Sequence, residues 1–356
     1  MGVSVTSTTF INKQDDRWKP TTWTSNALPL VAGQYDVCDA NGMVFVFPYG
    51  DRQNYMYSWD GFQYYTSTFP ASRSHTNVVY AYGYYWCFSY ASSNGYYWRS
   101  TDGITWTQGT ASGSNLSGGC KVLFAFNKII GNAGPTVRYS SNGTSFSSAS
   151  TPDSQLGGGF CHTDSSYIIK TGINMGEHIY TPSSNDSVWV DRGTCSEQIG
   201  NAPTGETGPY ILNEGILVDG IAFFDALYNG ANSPHCLVSS RNGVNWDVFY
   251  TYYPPEGYDI STLAYAGGVF IRGLSDGKEY DLNEQCPLCC TYSYEGDIWH
   301  DITPETSDDV FYFENLCDDG YSFNPDFYYF NRYFMTFCLG QVTHVHAPLS
   351  FRTIWD

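Results

Sequence analysis

The chain is poor in charge and poorest in positive charge. Only 14% of its 356 residues are charged, and 16 Lys and Arg face 35 Asp and Glu, for a formal net charge of −19. Such an acidic chain repels phosphate backbones, which excludes nucleic acid as a general partner. Long apolar runs are also missing. None approaches the about 20 residues of a membrane-crossing helix, so no membrane insertion is expected. The N-terminus, MGVSVTSTTFINKQDD, lacks the charged-then-apolar layout of a secretion signal. No stretch repeats apolar residues at i, i+3, i+4 and i+7, which argues against helices. Phosphate-cradling glycine motifs and nucleophile-elbow motifs are missing too, and no cofactor is expected.

Cysteine is present but unorganised. The eleven residues are odd in number and scattered, with Cys87, Cys120, Cys161 and Cys338 among aromatic and apolar neighbours, as small core residues are. CPLCC (Cys286, Cys289, Cys290) contains a C-x-x-C but has no second pair or close histidines to complete a zinc site. His344 and His346 share a strand face without a visible third ligand, so no metal is expected. The pattern suits a reducing compartment rather than a disulfide scaffold.

Aromatics and glycine are abundant: 18% Phe, Trp and Tyr, including 31 Tyr, with 36 Gly. That mixture favours strands and turns, and the expected class is all-β. Within it one device recurs. RSTDGITW (99–106) has relatives in YSWDGFQY (57–64), YSSNGTSF (139–146), PSSNDSVW (182–189), SSRNGVNW (239–246) and YSYEGDIW (292–299). Each places a Ser, a turn of Asp, Asn or Glu with Gly or Asp, and an aromatic six residues after the Ser. The closing aromatics Tyr64, Trp106, Phe146, Trp189, Trp246 and Trp299 are 42, 40, 43, 57 and 53 residues apart. A strand-built period of that length signals a propeller blade.

Between the turns lie seven other hairpins: YDVCDANGMVFVF, NVVYAYGYYWCF, KVLFAFNKIIG, FCHTDSSYIIK, ILVDGIAFF, LAYAGGVFIR and FYYFNRYFMTF. They read as the two inner strands of each blade, with the Ser-led turn joining the outer two. The expected architecture is therefore a single seven-bladed β-propeller over 1–356, with six or eight blades left open. Its seventh blade takes its third strand from PLSFRTIWD and its last from the N-terminal segment 1–23, around DRWKPTTW (16–23), so that chain ends mix and no edge is exposed.

The Ser-x-Asp-Gly-x-x-Trp series resembles the Asp-box, or BNR, repeat of sialidase-like β-propellers, over about residues 24 to 356. The resemblance implies structural roles for Ser58, Asp60, Gly61, Ser100, Asp102, Gly103, Trp106, Ser140, Asn142, Gly143, Phe146, Trp189, Ser240, Asn242, Gly243, Trp246, Ser293, Glu295, Gly296 and Trp299. They hold blades together on the face opposite the usual binding site. Sialidases of this fold need an arginine triad, usually opened by Arg-Ile-Pro, with a Tyr–Glu nucleophile pair and an Asp acid. Arg-Ile-Pro is missing, and Arg99, Arg138, Arg241 and Arg332 lie at turns, so no catalytic residue is assigned.

Three insertions swell the later blades: 194–210, 275–287 and 303–325. They belong to connections opposite the Ser-led turns and are expected to form one raised lobe, where binding sites are often carried. Its candidate ligand residues are the rings Tyr280, Tyr321 and Phe323 and the acceptors Asp281, Asn283, Asp318 and Asp319. With few charges and no secretion signal, the chain resembles phage tail and capsid propellers. That resemblance implies a non-catalytic virion protein binding a host-surface glycan or other virion proteins, in one or several copies. A polysaccharide glycosidase or lyase and a purely architectural virion protein stay open, and a cellular assembly factor akin to photosystem-linked propellers is a fourth reading.

Overall fold

The computed structural model describes residues 18–348, apart from 21, 52, 72–76, 90–94, 114–121, 133–135, 151–155, 172–177, 183–188, 200–206, 212–214, 230–233, 279, 295, 297, 309, 315–325 and 339. It is an all-β propeller. Six antiparallel sheets each form from a contiguous run of chain. They are sheet 1 (Tyr35–Thr68), sheet 2 (Val78–Ala111), sheet 3 (Val122–Ser150), sheet 4 (Leu156–Thr194), sheet 5 (Thr207–Tyr252) and sheet 6 (Asp259–Glu314). A seventh is assembled from both ends: Phe327–Phe330, Tyr333–Cys338 and Gln341–His346, with Trp23–Ala27 paired against the last of these.

All seven expected inner hairpins occur, each pairing two apolar runs across a short turn, as at Asn41-Gly42, where both residues take positive φ. The ring closes with three C-terminal strands and one N-terminal strand, as expected, but on neighbouring segments. The last strand begins at Trp23, where the expected segment 16–23 ends, because Pro20 has no N–H to give a ladder. Trp18 acts upstream as a wedge instead: its indole Nε1 donates to the His346 carbonyl, and its ring packs on Phe334 and Tyr292. The third strand of the closing sheet is Gln341–His346 rather than PLSFRTIWD, of which 349–356 lies outside the described residues.

Among the described residues, seven apolar clusters fill the seven gaps between neighbouring sheets. Sheets 7 and 1, for example, share Met335, Phe337 and Val342 with Val44, Val46 and Met56. The Ser-led turns lock these interfaces. Ser100 Oγ accepts from Gly103 N at 2.9 Å, and Asp102 Oδ1 accepts from Ile104 N and Thr105 N at 2.9 and 2.8 Å. The same geometry recurs at Ser58–Asp60, Ser140–Asn142 and Ser240–Asn242, and Ser293 Oγ likewise accepts from Gly296 N. Asn replaces Asp because an amide oxygen accepts the same two N–H groups. Glu295 and the turn before Trp189 lie outside the described residues.

The turn glycine is needed twice over. Gly143 has φ +77°, and a Cβ there would sit 2.7 Å from the Trp86 ring of the preceding sheet. The closing aromatic follows the same logic: Trp106 of sheet 2 packs on Phe69, Phe45 and Tyr55 of sheet 1 and donates from Nε1 to the Tyr55 hydroxyl at 2.8 Å.

The insertions are more integrated than free loops. Within 194–210, Thr194 caps a short helix, Cys195–Ile199, whose Cys195 and Ile199 enter the core between sheets 4 and 5. Within 303–325, Phe311–Glu314 pairs with Gln285–Leu288 and extends sheet 6.

Candidate functional site

Strand alternation places the inner-hairpin turns and the Ser-led turns on one face of the ring. The other connections, insertions included, emerge on the opposite face, called here the loop face. The innermost strands run from the loop face toward the turns, so their first residues stand at the loop-face mouth of the channel.

Counting four residues back from the last paired residue of each inner strand (Ala40, Ala81, Ala266, Phe330) reaches Asp36, Asn77, Thr262 and Asp326. These belong to sheets 1, 2, 6 and 7, four consecutive members of the ring, and make a polar arc at one depth. Its members touch. Thr262 N donates to Asp326 Oδ1 at 3.2 Å, and Phe327 N donates to Thr262 Oγ1 at 2.9 Å. Asn77 Oδ1 is buried without a hydrogen-bond partner. Burial pushes the Asp326 carboxyl up; the Thr262 bonds pull it back only in part, and the Asp36 charge adds to the rise. The Tyr328 phenol is raised well above its usual range by burial, then by Asp326, Asp36 and Cys38. Chemically, the arc offers carboxylate and amide oxygens, with one carboxyl biased toward its protonated form.

The lobe residues fare differently. Tyr280 is 6% exposed, lies in the core between sheets 6 and 7, and donates its hydroxyl to Asp276 Oδ2 at 2.6 Å. It is therefore corrected from ligand platform to core residue: a phenol can bury its ring because Asp276 satisfies the hydroxyl. Asp281 and Asn283 are exposed in a tight turn where Asn283 has φ +65° and Glu284 Oε2 accepts from Asp281 N at 2.9 Å. Asp318, Asp319, Tyr321 and Phe323 lie outside the described residues.

Two other polar groupings stand out. Between sheets 5 and 6, Arg272 has no exposed surface, and its guanidinium lies 3.4 Å from Asp225 and 4.0 Å from the centre of the Trp299 ring. His235 Nδ1 is 3.7 Å from the other Asp225 oxygen, and none of these atoms makes a proper hydrogen bond. Burial pulls the Arg272 guanidinium below its ordinary range despite the Asp225 charge. At the loop face of sheet 4, half-exposed His178 Nδ1 contacts both Asp191 oxygens at 3.0 and 2.9 Å. Burial pulls Asp191 upward, but the bonds from His178 and Gly193 outweigh it and leave the carboxyl below its ordinary range. His344 plays a seam role, with Nε2 2.7 Å from the Gly61 carbonyl and its ring stacked on Phe62. Among the described residues no three His, Cys, Asp or Glu side chains are grouped to hold a metal ion, and no helix is long and apolar enough to cross a membrane.

Blades arranged in a ring, closed by strands from both chain ends and carrying a polar arc at the channel mouth, define a β-propeller. No family model matches the sequence, and no curated protein does. Solved propellers do match in shape. A YCF48 structure bound to a D1 peptide aligns over 93% of this chain and 98% of its own, with TM-score 0.56 and 12% identity. A catalytically inactive virginiamycin B lyase from Staphylococcus aureus, with quinupristin, aligns over 92% and 100%, with TM-score 0.57 and 9% identity. The Dos1 propeller aligns over 90% and 80%, with TM-score 0.52 and 10% identity. At these identities the likeness establishes the fold and nothing about activity.

Proposed function

We propose that this chain is a non-catalytic, virion-associated propeller of the Asp-box kind, part of a phage tail or capsid, that holds a host-surface glycan at the loop-face mouth of its channel. The observation that carries this reading is the arc Thr262–Asp326–Asp36–Asn77. An arc rich in hydrogen-bond acceptors suits a ligand rich in donors, and sugar hydroxyls are such donors. The Ser-led turns support the Asp-box assignment, since the four at Ser58, Ser100, Ser140 and Ser240 pair a Ser hydroxyl with an acidic or amide cap in the same geometry. The virion assignment rests on composition and repeat style. Two propellers of similar shape carry a ligand, a peptide in one and quinupristin in the other, which shows that this fold accommodates bound ligands.

A second reading, a polysaccharide glycosidase or lyase, is favoured by one observation. Asp326, pushed up first by burial, lies within electrostatic reach of Asp36, and two neighbouring carboxyls are the pairing such chemistry uses. One experiment separates the two. The protein is incubated with bacterial and algal polysaccharides while retention and released reducing ends are scored together. Retention without release, abolished by Asp36→Ala, is the expected result. Release of sugar ends overturns the non-catalytic reading. Failure to bind any glycan, combined with co-purification of other virion proteins, replaces it with a docking or architectural role.

A further inference from the structure

The Ser-led turn of sheet 1 carries a tryptophan that the turn does not need. The residue after the Ser is Trp59 there, but Thr101, Ser141 and Arg241 in sheets 2, 3 and 5. Trp59 is 50% exposed and lies beside Tyr65, which is 40% exposed. Tyr65 stands directly opposite Tyr57 across the hairpin, and those rings stack 5.6 Å apart at 27°. Tyr57, almost buried, also props Trp59 edge-on at 5.0 Å and 84°. The two exposed rings diverge from this base, 5.8 Å apart at 60°, as an open V. Among the described residues no other two exposed aromatics are in recorded ring contact.

The surroundings select an occupant. Asp102 of the next blade is exposed and close enough for its charge to raise the Tyr57 phenol, after burial and the Tyr65 effect. Its Oδ1 is committed to Ser100 Oγ, Ile104 N and Thr105 N. Each carboxylate oxygen offers two lone pairs, so this exposed carboxylate keeps further capacity to accept. Ring faces take the C–H face of a sugar, and a carboxylate oxygen beside them takes its hydroxyls. Asp60 and Asp102 are both acidic, so an anionic sugar is repelled. We infer that Trp59, Tyr65 and Asp102 form a second sugar site, on the turn face, for a neutral pyranose. This rests on the reading of the chain as glycan-binding, but places contact on the face opposite the channel arc.

The test is affinity electrophoresis of the full chain in gels containing galactomannan or xyloglucan (neutral) and alginate or polysialic acid (anionic). Trp59→Ala is expected to weaken retention in a neutral gel by about tenfold, and Trp59→Tyr, which keeps a ring, to retain most of it. Folding is not at stake, since Thr and Ser occupy the equivalent turn position in sheets 2 and 3. Retention lost with Trp59→Ala and kept with Asp36→Ala supports the platform and removes the arc as the glycan site. Retention lost with Asp36→Ala alone overturns the platform and leaves the channel reading intact. Preferential retention by alginate or polysialic acid overturns the platform's chemistry, and no retention of the wild type in any gel overturns both sites.

Discussion

Breaking the buried pair between sheets 5 and 6 is expected to cost more than removing it altogether. Arg272 and Asp225 side chains have no exposed surface and approach to 3.4 Å. At an effective dielectric of 20, two unit charges at that separation attract by about 5 kcal/mol. Desolvating each ion costs several kcal/mol in return, and the guanidinium recovers about 2 kcal/mol from the Trp299 face. The net value of the pair is therefore close to zero, but each partner alone is a stranded buried charge. Asp225→Leu or Arg272→Met should each lower stability by about 3–5 kcal/mol. The double variant Asp225→Leu with Arg272→Met should recover to within about 1 kcal/mol of wild type, because both uncompensated charges vanish and Met packs on Trp299. The assay is urea unfolding followed by tryptophan fluorescence, with the coupling energy taken from the full cycle. If a single variant does not fold but the double does, the reasoning stands. Single variants costing under about 1 kcal/mol, or a double no better than the worse single, would refute it.

Other residues give sharper local tests. Gly143→Ala should cost about 2–4 kcal/mol by urea titration, from positive φ and the Trp86 overlap, whereas Gly83→Ala, at φ +80° with nothing near, should cost about 1 kcal/mol. Equal costs would sink the interface role of the turn glycine. Asp102 is pushed down from 3.8 to about 2, first by the Ser100 hydroxyl and then by the Thr105 N–H. Its folded pKa is depressed, so its contribution is full above 3.8 and is lost as pH falls toward 2. Asp102→Asn, which mimics the Asn142 and Asn242 turns, should flatten that part of the melting-temperature profile. An unchanged slope would remove Asp102 as its cause.

How much of this was legible follows from how local each signal is. The hairpins and Ser-led turns are written in consecutive residues, with alternation and turn chemistry agreeing, so they place the blades before any contact is known. Tyr280 was misread because its loop position says nothing about the cavity between sheets 6 and 7 that its ring fills. Arg272 sits in VFIRGLS and Asp225 in IAFFDALY, each a single charge inside an apolar strand. Either alone is an anomaly; only packing of adjacent blades shows that they answer one another. The arc had a sequence signal that was passed over. Asp36 and Asp326 stand four residues before the end of their inner strands, but the period that relates them spans the whole ring and is hidden by the chain-end junction.

Asp326 is where stability and proposed function pull apart, and that makes it the most discriminating single position. Its folded pKa is raised, first by burial and then by the Asp36 charge, so its stabilising contribution is present below 3.8 and is lost as pH rises through the folded value. At neutral pH the ionised form is therefore a burden on the fold. Asp326→Asn keeps an oxygen for the Thr262 N–H at the same place but carries no charge. The variant should melt higher than wild type at pH 7 and no higher at pH 3, by thermal unfolding at both. If the carboxylate serves the glycan, the same variant should hold the polysaccharide less well at pH 7, since an amide accepts hydroxyl hydrogen bonds more weakly than a carboxylate. A more stable protein with weaker retention is what a site maintained at the expense of stability predicts. A variant less stable at both pH values would instead make Asp326 a structural tie between sheets 6 and 7, and the arc would lose its claim to bind anything.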